Sequence, residues 1–177
     1  MDALPVRSGR PGPGEYADYA EEDISLVQGE DAVEALQALR PATHALMAEF
    51  GEAGADHAYA EGKWTVRQIL GHLADDERIF GFRILAIARG DAGPHPGFDE
   101  NAYMAAAAFH QSDLEALLAD YDAVRSATLT LLQGLDRTAW LRRGVVNGYT
   151  ATPRGLAFHI AGHELHHHRV LRQRYLL

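Results

Sequence analysis

Apolar residues recur at helical spacing in four stretches of the chain. The first runs from about Asp31 to Phe50, with Val33, Leu36, Leu39, Leu46 and Met47 as core positions. Pro41 falls inside this pattern and predicts a kink or break near Leu39–Arg40, because it lacks the N–H a helix interior needs. The second stretch has the clearest start: Thr65 with Gln68 spells a capping box, and Trp64 can pack on Ile69 as a staple. Its stripe continues through Leu73, Phe80, Ile84 and Ile87 until Gly90 ends it. Ser112 with Glu115 spells another capping box, opening a helix lined by Leu114, Leu117, Leu118, Tyr121, Val124, Leu131 and Leu132 to about Gln133. Thr152 as N-cap and Pro153 at the first helical position open the last helix, which runs to about Tyr175.

The segments between them are as informative. Gly93-Pro94-His95-Pro96-Gly97 cannot be helix, and residues 91–111 form a crossover long enough to run back along a bundle. Val145-Val146-Asn147-Gly148-Tyr149-Thr150 sets an Asn-Gly turn between strand formers and predicts a small hairpin before the last helix. Residues 1–28 are rich in Gly and Pro, then acidic and aromatic. They read as an extended arm with a short helical turn near Asp23–Val27, docked in part by its aromatics. Residues 29–177 then predict an all-α four-helix bundle, whose interior is a usual place for a metal site.

The last helix departs from its own apolar pattern. Five of the ten histidines fall between Phe158 and His168. Leu156, Ile160, Val170 and Leu171 share one stripe, and His163 and His167 lie inside it, where a core helix carries leucine. A spacing of four stacks two rings one turn apart, so both reach one cation. His159–His163 has the same spacing, but His159 lies with His166 at the stripe's edge; His168 is expected opposite, in solvent. On the second helix His72 sits beside the apolar stripe, with Asp76 one turn later and Asp75 and Glu77 alongside. His163-Glu164-Leu165-His166-His167 also matches the zincin pattern, which makes Glu164 a candidate general base. Beyond His168 the chain has no His, Asp or Glu, so the downstream zincin ligand is missing and a third ligand must come from earlier in the chain.

Composition narrows the chemistry. The 177 residues contain no cysteine, which excludes a cysteine nucleophile, a thiolate-bound metal and disulfides. Imidazole nitrogen and carboxylate oxygen are the ligands available. A net charge of −9 argues against nucleic acid as a partner. No apolar run reaches membrane-spanning length, and Met1-Asp2-Ala3-Leu4-Pro5 does not begin a signal peptide, so no membrane association and a cytoplasmic location are expected.

Trp64-Thr65-Val66-Arg67-Gln68-Ile69-Leu70-Gly71-His72-Leu73 with Glu77, then Gly97-Phe98-Asp99-Glu100, and the segment His159 to His168 resemble the DinB/YfiT-like superfamily of metal-binding four-helix bundles. Arg10-Pro11-Gly12-Pro13-Gly14-Glu15-Tyr16 is similar to the arm of those proteins. The resemblance implies an up-down-down-up bundle with the crossover between helices two and three, and a homodimer. It implies a divalent metal, zinc or nickel, on His72, His163 and His167. It also implies a small-molecule substrate, with S-transfer of a low-molecular-weight thiol ahead of hydrolysis and of a non-catalytic, metal-stabilised bundle. Glu164 could act as base, and Asp76 could orient His72 or join the metal as a fourth ligand.

Overall fold

The computed structural model describes residues 9–176. In chain order the elements are α1 (Glu21–Leu26), α2 (Ala32–Gly54), α3 (Val66–Ala88), α4 (Glu100–Ala106), α5 (Leu114–Gln133), α6 (Arg137–Leu141), β1 (Gly144–Val146), β2 (Tyr149–Ala151) and α7 (Pro153–Val170). A single wide turn, Leu171–Tyr175, ends the last helix. The four long helices form a square in which α2 and α3 each pack on both α5 and α7.

Side-chain pairs give the directions. Arg40 meets Asp122 while Glu52 meets Leu114, so α2 and α5 are antiparallel. Arg67 meets Ser112 while Arg125 meets Glu77, so α3 and α5 run the same way. Thr43 meets Glu164 and His168, and Glu49 meets Arg172, so α2 and α7 are parallel. The order is up-down-down-up, with residues 91–111 as the crossover between the parallel α3 and α5.

Local chemistry explains most element ends. Thr65 and Gln68 form both bonds of the capping box, and the Thr152 hydroxyl accepts from Gly155 N–H. Asn147 and Gly148 take positive φ in the hairpin turn, which pairs Val146 with Tyr149. Two expectations are corrected. The fifth helix is capped by Asp113, whose carboxylate accepts from Ala116 N–H, and not by Ser112, whose carbonyl is taken by Arg67. Helix α2 runs through Pro41; its non-helical residue is Gly51. Leu36, Leu39, Thr43, Leu46 and Met47 are all buried on both sides of the proline, so packing holds the helix across the missing hydrogen bond.

The arm is part of the core. Tyr16, Ala20, Ile24 and Val27 are buried with Phe158, Ile160 and Ala161 of α7. Glu15 accepts from the Thr152 hydroxyl at 2.8 Å and pairs with Arg154, while Arg10 donates to the carbonyls of Ile24, Val27 and Gly29. The approach is close enough to require glycine. A Cβ on Gly155 would stand 1.9 Å from the Glu15 carbonyl oxygen, and one on Gly162 would stand 2.5 Å from that of Asp23.

The apolar core divides into two clusters, and polar groups occupy the level between them. One cluster holds Leu39, Phe80, Leu132 and Ile160; the other holds Leu46, Leu70, Val124 and Leu171. At the boundary lie Thr43, His72, Asp76, Glu77, Arg125, His163, Glu164 and His168, from all four long helices.

Candidate metal centre

His72 projects from α3 and His163 and His167 from successive turns of α7. His72 Nε2 lies 3.2 Å from His163 Nε2, and His167 Nε2 lies 3.1 Å from the same atom. The three ligand nitrogens all fall within 4.8 Å of one another. Nitrogens placed tetrahedrally at ~2.0–2.1 Å from a zinc-sized cation stand ~3.3 Å apart, so the set fits a metal ion. Burial pushes the His72 imidazole down to about 4. Burial and the neighbouring imidazoles push His167 down to about 3 and hold His163 well below the usual range. All three are thereby neutral near pH 7, the form that ligates.

The surroundings hold the rings. Trp64, just before α3, lies against His72 with ring centroids 4.8 Å apart and stacks near His167. Asp76 Oδ2 stands 3.3 Å from His163 Nδ1, on the side of the ring away from the shared nitrogens. Burial raises the Asp76 carboxyl to about 8, with Arg83 opposing the rise. A cavity of about 240 Å³ opens beside His163, with Asp76, Arg83, Phe98 and Glu100 in its wall. The arm adds Tyr19 and Asp23 to that wall, and the hairpin adds Asn147. A second cavity, of about 320 Å³, borders His166 and His167 and is lined by Tyr59, Trp64 and Tyr175.

The sequence model of the DinB superfamily matches residues 14–171. The chain belongs to the DinB superfamily. Among solved structures, this DinB chain is similar to YfiT from Bacillus subtilis at 19% identity, with a TM-score of 0.64 over 95% of this chain and 94% of that one. YfiT is described as "a probable metal-dependent hydrolase with an unusual four-helix bundle topology". At that identity the likeness shows the fold. None of the curated proteins matches significantly.

In this DinB bundle the other candidates from the sequence are dispersed. Glu164, the candidate general base, is corrected: it is 1% exposed and turned into the polar belt between the core clusters. Its carboxylate accepts from Tyr121 Oη at 2.5 Å, from the Thr43 hydroxyl and from Arg125, so no oxygen is left to serve a nucleophile. Arg125 also donates to both oxygens of Glu77. His168 is likewise corrected. It is buried and hydrogen-bonded to Thr43 at 2.7 Å rather than in solvent. His159 stacks on Phe80 with centroids 4.2 Å apart, and His166 Nδ1 meets Asp23 at 3.0 Å. Asp76 stands beside the His163 ring rather than that of His72. The sequence reading assigned Arg83 no role and named Glu100 only within the Gly97–Glu100 segment of the family resemblance. Arg83 had a visible signal: positions 72, 76, 80 and 83 share one helical face.

Proposed function

We propose that this protein is a metal-dependent enzyme acting on a small molecule, with a divalent zinc or nickel ion held by Nε2 of His72, His163 and His167. The observation that carries this reading is the meeting of three neutral imidazole nitrogens beside a cavity. A cation there would supply Lewis acidity, able to make a nucleophile of water or of a thiol near neutral pH. Three protein ligands leave room for such a nucleophile. Ionised, the Asp76 carboxylate 3.3 Å from His163 Nδ1 would favour the tautomer that presents Nε2. Trp64, against the His72 ring, limits its rotation. The dimensions of both cavities support a small-molecule substrate rather than a folded protein or duplex DNA.

The reaction we favour is S-transfer of a low-molecular-weight thiol. The chain holds no cysteine, so any thiolate arrives with the substrate and finds no competing protein thiol. Hydrolysis is the second reading, supported by the description of YfiT. The test is to load the purified protein with zinc or with nickel and assay thiol conjugation to monobromobimane beside hydrolysis of a nitrophenyl ester. We expect one metal per chain and a metal-dependent rate that His163→Ala abolishes. Full rates in metal-stripped protein would sink the proposal.

A further inference from the structure

Three arginines are buried among the described residues: Arg67, Arg83 and Arg125, at 5, 4 and 1% exposure. Two of them are matched by carboxylates. Arg67 pairs with Glu52 and Asp56, and Arg125 with Glu77 and Glu164. Arg83 has no carboxylate within ion-pair distance among the described residues. One terminal nitrogen donates to the Pro96 carbonyl at 2.8 Å, and its guanidinium carbon lies 4.8 and 5.8 Å from the ring centres of Phe80 and Phe98. Its remaining N–H groups have no protein acceptor among the described residues. Arg83 lines the same cavity as His163.

A buried cation without a counter-charge is unfavourable, and aromatic faces offset only part of the penalty. The acids of this cavity stand against histidines. Asp76 faces His163, Asp23 faces His166, and Glu100 stands 4.0 Å from His72 Nε2. The cavity thus holds, beside the histidine cluster, a cation with no carboxylate at ion-pair distance among the described residues. Guanidinium donors lie in one plane, so a planar carboxylate meets two at once.

We propose that Arg83 is the anion-recognising group of this cavity, and that the substrate is a small molecule bearing a carboxylate, held with that group at Arg83 and its reacting part towards His163. The orientation rests on the histidines being the reactive centre; carboxylate binding at Arg83 does not.

The test is calorimetric titration of the zinc-loaded protein with monocarboxylates from acetate to benzoate, each beside its neutral amide. We expect at least one acid to bind more than tenfold tighter than its amide. Arg83→Gln should bring that acid down to the level of the amide with zinc content unchanged, and Arg83→Lys should keep part of the preference. The wild-type comparison stands even if a variant fails to fold. No acid bound, equal binding of acid and amide, or undiminished binding by Arg83→Gln would overturn the proposal. Acid binding that persists in Arg83→Gln but vanishes in metal-free His167→Ala places the carboxylate on the metal, which overturns this inference and spares the metal centre. Arg83-dependent binding in wild-type protein that never takes up zinc or nickel does the reverse.

Discussion

Asp76→Asn isolates one carboxyl beside the histidine cluster. The substitution keeps the side-chain shape and removes the carboxyl facing His163 Nδ1 at 3.3 Å. Burial keeps that carboxyl largely protonated in the metal-free protein, and a bound cation would favour the carboxylate. Carboxylates that support a metal-bound histidine typically contribute about 10–100-fold to affinity. That range corresponds to ~1.4–2.7 kcal/mol. Two features of this contact pull in opposite directions. It is longer than the ~2.7–2.9 Å of a strong charge-assisted bond, which weakens it. Asp76 is only 5% exposed, so solvent and salt screen it little. The expected loss is therefore in the lower half of the range, about 10–30-fold. Asp76→Ala should lose more, because the ring is then also free to turn. Competition for zinc against a chromophoric chelator near neutral pH measures this directly. Glu164→Gln is the control, since its carboxylate is next in sequence to His163 yet bonded to Arg125, Tyr121 and Thr43. Wild-type affinity in Asp76→Asn, or an equal loss in Glu164→Gln, would refute the argument. A loss far above hundredfold, with a change in ligand number by X-ray absorption, would make Asp76 a direct ligand.

His72→Ala, His163→Ala and His167→Ala should each lose bound zinc or nickel, while His159→Ala and His168→Ala keep it; metal analysis decides, and full occupancy in His163→Ala defeats the site. Arg125→Met leaves Glu77 and Glu164 buried without their cation, a change that typically costs about 3–5 kcal/mol. At ~2–4 °C per kcal/mol for a chain of this size, melting should fall by ~6–20 °C in calorimetry; an unchanged midpoint means that the network adds no stability. Burial, with the Arg83 charge adding to it, pushes His159 down to about 4 from 6.5. Below about 6.5 the unfolded chain takes up a proton that the folded state refuses, so the contribution of His159 to metal-free stability should fall from there towards about 4 and stay flat above. His159→Phe should reduce that slope in denaturant titrations across pH, and an identical slope excludes the residue as its source.

Much of this arrangement could be read from local pattern. The capping box at Thr65, the Asn147-Gly148 turn and Pro153 at the first turn of α7 are short-range chemistry, and the structure contains all three. The interruption of an apolar stripe by His163 and His167 pointed to the cluster before any fold was known. Burial of α7 was not legible, because periodicity assumes one solvent face. Helices α2 and α5 close over the side where solvent was expected, so His168 is enclosed there with Glu164, against Thr43, Tyr121 and Arg125. Glu77, Arg125 and Glu164 read singly as surface charges; only three different helices meeting at one level makes them a network. Pro41 misled for a related reason, since tertiary packing outweighs a missing bond.

Where Gly155 and Gly162 receive the arm, main chain rests on main chain. A neighbouring side chain can rotate to accept a substitution; a peptide unit moves only by carrying its own hydrogen bonds along. The Glu15–Arg154 pair joins positions 139 apart, so this seal closes a loop that contains the other three long helices. Tyr19 and Asp23 reach the cavity only through that closure. A chain whose four long helices have packed but whose distant segments have not met already holds the three histidines, yet lacks one wall of the chamber beside them. The completed pocket is thus a readout of topology, because one of its walls depends on contacts that span most of the chain.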